Sequence, residues 1–83
     1  MKIDVRFFAS VREGLGAAES VELAAGGDVA VLRDTLASRG GRYEELLGRQ
    51  RVVRSARNRV LCAESEVLTD GDEVGFFPPV TGG

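Results

Sequence analysis

The chain has 83 residues, 43% hydrophobic and 29% charged, with 11 Lys and Arg against 13 Asp and Glu for a net charge of −2. That is one ordinary domain with a small core, and it lacks the positive field that would draw a chain onto nucleic acid or a membrane surface. With no histidine and one cysteine, the sequence excludes His-based triads, His-ligated metals, thiolate clusters and an internal disulfide, which argues against a self-contained catalyst and fits a reducing cytoplasm.

The opening "KIDVRFFA" alternates, with Ile3, Val5 and Phe7 on one side and Lys2, Asp4 and Arg6 on the other. This predicts a half-buried strand, with Phe8 set as a large aromatic on the polar side. The apolar run is too short and too interrupted by charge for a signal peptide, and no stretch approaches the roughly 20 apolar residues of a membrane span. "VREGLGAAE" carries two glycines and reads as a turn or loop. "SVEL" places Val21 and Leu23 on one face and suits a hairpin partner for the first strand.

"GGDVAVLRDTLASRGG" predicts the main helix. Asp28 is its N-cap and Gly40-Gly41 its close; Val29, Leu32 and Leu36 make one apolar stripe, with Arg33 and Asp34 facing away. "RYEELLGR" adds a helical turn at most. "RVVRSARNRVLCAESEVL" is extended, with Asn58-Arg59 a turn between two strands. Its arginines, Arg49, Arg51, Arg54, Arg57 and Arg59, have no aromatic residues interleaved, so they read as a solvated face or a guide toward an acidic partner rather than a nucleic-acid site. Cys62, between Leu61 and Ala63, reads as a packed cysteine and not a persulfide carrier. Asp70-Gly71 predicts a tight turn, and Asp70, Asp72 and Glu73 lack the spacing of a calcium loop. A last strand follows, with Val74 and Phe76 on one face. The order strand, strand, helix, strand, strand, strand predicts an α+β roll: a mixed sheet with one main helix across it and the first and last strands side by side in the middle.

The chain finishes on "FFPPVTGG". Pro78 and Pro79 have no N–H and a fixed φ, so they end the ladder and keep the backbone extended. Val80 and Thr81 are stiff at χ1, while Gly82 and Gly83 have no side chains and can thread a channel closed to any other residue. Six residues at about 3.3–3.6 Å each reach roughly 20 Å, enough to enter a partner's active site. A terminal carboxylate at Gly83, with an ordinary pKa of about 3.5, is unreactive until it is activated. Adenylation with ATP is the simplest activation, and the mixed anhydride then reacts with sulfur or with an amine.

Three blocks, "KIDVRFFASVRE", Asn58 to Leu61, and "LTDGDEVGFFPPVTGG", are similar to the MoaD/ThiS group of sulfur carriers, and within it to the small subunits of molybdopterin synthases. The resemblance implies a ubiquitin-like β-grasp domain over 1–77 and a flexible Pro-Pro-Val-Thr-Gly-Gly tail over 78–83. It implies that an E1-like adenylating enzyme activates Gly83, behind Gly82, with ATP and that a sulfur donor protein supplies sulfur for a thiocarboxylate. The sulfur would go to cyclic pyranopterin monophosphate in the large subunit of molybdopterin synthase, within a heterotetramer; the chain itself binds no cofactor. Phe8, Leu61 and Phe77 would form an apolar docking patch on the outer sheet face, if Phe7, Val60 and Phe76 point into the core. Arg12 would be its polar rim, and Pro78, Pro79, Val80 and Thr81 would also contact the partner. Two other readings keep the same activated terminus: a ubiquitin-like modifier joined to lysines through Gly83, and a sulfur carrier for thiamin synthesis. A plain interaction domain with an idle tail is the third alternative.

Overall fold

The computed structural model describes residues 1–79. Among them the elements run β1 (Lys2–Phe7), α1 (Ala9–Leu15), β2 (Ala18–Glu22), α2 (Val29–Ala37), α3 (Gly41–Leu47), β3 (Arg54–Arg57), β4 (Val60–Cys62) and β5 (Glu73–Phe77). The strands form one mixed sheet in the order β2-β1-β5-β3-β4. β1 runs antiparallel to β2 and parallel to β5, so the first and last strands are interior neighbours as expected. This is the expected β-grasp arrangement, with the helices gathered on one face of the sheet.

The alternation of β1 survives intact: Ile3, Val5 and Phe7 are buried and pack with Val74 and Phe76 of β5. Val21 and Leu23 join them from the β2 side, and Val29, Leu32 and Leu36 of α2 close the core from above. The α2 cap forms as its sequence requires, with Asp28 Oδ1 accepting the Val31 N–H at 2.9 Å. The Asn58-Arg59 turn also forms; both residues take positive φ, 48° and 70°, the twist a tight two-residue hairpin needs.

Three expectations fail. The stretch read as a loop after β1 is helical, α1, because Val11 is buried in the core and Leu15, one turn on, packs against it. Gly14 does not break this helix. Its bare Cα lets α3 approach closely, and a Cβ there would fall 2.3 Å from Leu46 Cδ1. The turn expected at 42–49 is the full helix α3. Arg33, expected on the solvent side of α2, is 4% exposed, because α3 and the segment after it cover that side of α2.

Candidate functional site

Neighbouring strands in register share a face, so the pairing decides what the outer, helix-free side of the sheet presents. Across β4, β3, β5 and β1, one row on that side runs Leu61, Ala56, Gly75, Arg6. Phe77 and Arg54 pair one step along the same side. Phe8 follows β1 directly and folds over the row. Its N–H donates to the Phe76 carbonyl at 3.1 Å, and its ring lies across Gly75, where a Cβ would come within 2.8 Å of Phe8 Cε2.

The three apolar residues expected as a patch therefore share the outer face. Phe8 is 47% and Leu61 70% exposed, and Phe77 is half-buried. A shallow groove of about 380 Å³ is lined by Leu61, Phe77, Arg54 and Pro79, so the chain leaves β5 along the patch. One premise of the expectation is wrong. Val60 does not enter the core; at 69% exposure it lies on the sheet edge, since β4 is the outermost strand and no helix reaches over it. Cys62 is partly buried against the core, with its sulfur 3.8 Å from Ser55 Oγ.

Arg12 stands at the other border of the patch. It shares a second groove, of about 510 Å³, with Phe8, Arg6, Arg59 and Glu73. Arg6 is held by Asp4 through two hydrogen bonds, of 3.2 and 3.0 Å, which raise its pKa further above the usual range. Of the remaining site residues, Pro78 and Pro79 carry no strand pairing and continue from the end of β5. Val80, Thr81, Gly82 and Gly83 lie outside the described residues. The periodicity of the sequence carries no signal for Gly75 as the floor beneath Phe8; only the β1–β5 register brings them together.

The turn before β5 is pinned by a polar cluster. Asp72 is buried, and its carboxylate accepts from Arg57 Nε at 2.8 Å, Asn58 Nδ2 at 3.0 Å and the Thr69 N–H at 2.8 Å. Burial opposes the charge, but the Thr69, Asn58 and Arg57 donors outweigh it and hold the carboxyl down at about 2. The cluster is structural: it ties the β3–β4 turn to the start of β5 and so sets the register of the outer row. No group of His, Cys, Asp or Glu among the described residues could hold a metal ion.

The ThiS family model matches residues 5–83. The molybdopterin synthase sulfur carrier subunit of Escherichia coli is 44% identical over 82 residues, covering 98% of this chain and 99% of that protein. Small archaeal modifier protein 3 of Haloferax volcanii is 35% identical over 94 residues, with both chains fully covered. Among solved structures, the complex of subunits 1 and 2 of the molybdopterin-converting factor from Helicobacter pylori matches at a TM-score of 0.70 and 31% identity, covering all of both chains.

Proposed function

This chain belongs to the ThiS family, and on that premise we propose that it is the sulfur carrier subunit of a cytoplasmic molybdopterin synthase. The working group is the Gly83 carboxylate. An adenylating enzyme transfers AMP to it from ATP, releasing pyrophosphate; a persulfide on a donor protein then expels AMP to give an acyl disulfide, and a thiol reductant cleaves its S–S bond to leave the thiocarboxylate. That sulfur passes to cyclic pyranopterin monophosphate in the large subunit. Product molybdopterin holds two dithiolene sulfurs, so two charged carriers act per product, consistent with a heterotetramer.

One observation carries most of this reading. The interior strand β5 ends at Phe77, on the outer face that Phe8 and Leu61 share, and the chain leaves it with Pro79 beside Leu61 and Phe77. A domain docked by its outer face would thus hold the start of the tail against its partner, with the glycines free to enter an active site. Phe8, Leu61 and Phe77 supply the apolar centre of that contact and Arg12 its rim.

The chain purified from cells that hold its partners should contain a species in which one oxygen is replaced by sulfur, located at Gly83 by intact and fragment mass. Deleting Gly83 should abolish sulfur transfer while leaving the melting temperature unchanged. Full transfer by the shortened chain would overturn the proposal. The similarity to an archaeal modifier supports a second reading, conjugation through Gly83 to lysines, which the same mass measurement would reveal as a Gly83–lysine adduct. Lys2 is the one lysine in the sequence, so chains of such a modifier could grow only there. Service to thiamin synthesis would appear as thiocarboxylate formed without any complex with the synthase large subunit.

A further inference from the structure

The arginines of this chain differ in how well carboxylates match them. Arg33, Arg49 and Arg57 are each matched by carboxylates: Arg33 with Glu64, Arg49 with Asp34 and Glu64, Arg57 with Asp72 and Glu66. Those around the outer-face patch are not equally matched. Arg12 and Arg54 are exposed and form no ion pair among the described residues. Arg59 is 86% exposed and reaches Glu73 only at 3.7 Å. Arg6 is balanced by Asp4.

These residues bracket the patch. Arg12 and Arg59 line the groove on the Phe8 side, and Arg54 lines the groove between Leu61, Phe77 and Pro79. Arg42, on α3, and Arg51 are also exposed without an ion pair among the described residues, but the outer face is where three weakly compensated arginines, Arg12, Arg54 and Arg59, stand beside exposed apolar residues. Among the described residues Glu73 is the carboxylate that lines these grooves.

We infer that this face is built for a partner surface with an apolar centre bordered by carboxylates, and that Arg12, Arg54 and Arg59 steer that partner onto Phe8, Leu61 and Phe77. The inference rests on the functional reading above and specifies the chemistry of the partner's docking face. Rim charges of this kind act at long range on encounter, while the apolar centre governs how long the complex lasts. Their effect on the association rate is therefore larger than on dissociation and is screened by salt.

The test is association kinetics with the large subunit of molybdopterin synthase from the same organism. For the unaltered chain, the association rate should fall steeply between about 20 mM and about 500 mM salt, where screening shortens from tens of ångströms to a few. The variant Arg12→Glu/Arg59→Glu should associate about ten-fold more slowly at low salt, with dissociation changed less than three-fold or so. Arg54→Glu should act in the same direction. Arg42→Glu, the same charge change at an exposed position on α3, should leave the rate unaltered. Equal rates for the reversed and unaltered chains, or an equal loss from Arg42→Glu, would overturn the inference and leave the functional reading standing. Absence of any complex with the unaltered chain would overturn both.

Discussion

Gly75 shows how a single missing atom can shape a docking surface. It sits in the interior of β5, where glycine ordinarily weakens a strand, yet the space its side chain would occupy belongs to the Phe8 ring. Phe8 is half exposed and has room to swing away, so Gly75→Ala should cost the fold only about 1 kcal/mol. The larger effect should be on binding, since the displaced ring leaves the row of the outer face that β5 shares with Phe77. Affinity for the large subunit should fall at least about ten-fold, equivalent to about 1.4 kcal/mol. Calorimetric binding together with thermal melting separates the two effects. Unchanged affinity would show that Phe8 need not lie over Gly75.

At the scale of elements, the helical layer depends on one buried cation. The last carbonyls of a helix have no partners within it. Arg33 of α2 supplies them for α3: Nε donates to the Leu47 carbonyl at 2.7 Å and Nη2 to the Gly48 carbonyl at 2.8 Å. Nη2 also donates to the Arg51 carbonyl at 2.7 Å, and Nη1 meets Glu64 at 2.6 Å. Burial alone would raise the Glu64 pKa, but Arg49 and Arg33 together lower it. Removing the guanidinium strands the Leu47 and Arg51 carbonyls and leaves Glu64 to Arg49 alone, so Arg33→Ala should destabilise by about 3–5 kcal/mol in chemical denaturation. Arg33→Lys should recover little of this, because an ammonium cannot present the same planar fork. Full stability in the lysine variant would reduce the role of Arg33 to charge alone.

For the molecule as a whole, the acid limb of stability should be set in large part by Asp72. Its folded pKa of about 2 lies below the ordinary aspartate value of about 3.9. A depressed carboxylate contributes stability fully above its unfolded pKa, and that contribution is lost as pH falls through the folded value. The melting temperature should therefore drop as pH is lowered from about 4 to about 2. Asp72→Asn should flatten that part of the profile and lower stability at neutral pH by about 1–3 kcal/mol, since Arg57 keeps only Glu66 as a charged partner and the amide cannot accept the same set of donors. A profile of the same slope in the variant would place the acid transition elsewhere. The carboxylate ties residues 57–58 to the turn at 69–72, and the Asp72 carbonyl accepts from the Asp4 N–H at 2.9 Å, so this cluster bears on β1 and β3 as well as β5.

What the sequence determined by itself is whatever depends on near neighbours along the chain. The alternation of β1, the Asp28 cap, the Asn58-Arg59 turn and the diproline that ends β5 each rest on spacing or on backbone restrictions local to a few residues. The reading of α1 as a loop failed because two glycines outweighed Val11 and Leu15, whose helical spacing is informative only once α3 covers Gly14. Arg33 looked solvent-facing because a helix of its period has a polar side; whether that side meets water depends on the helix packed there. Likewise Phe8, Leu61 and Phe77 could be named as candidates, but their sharing of the outer face, the seat of Phe8 over Gly75, and the failure of Val60 to join the core follow from strand order. Pairing register and helix packing bring together residues up to seventy positions apart, and no local pattern encodes which of them will touch.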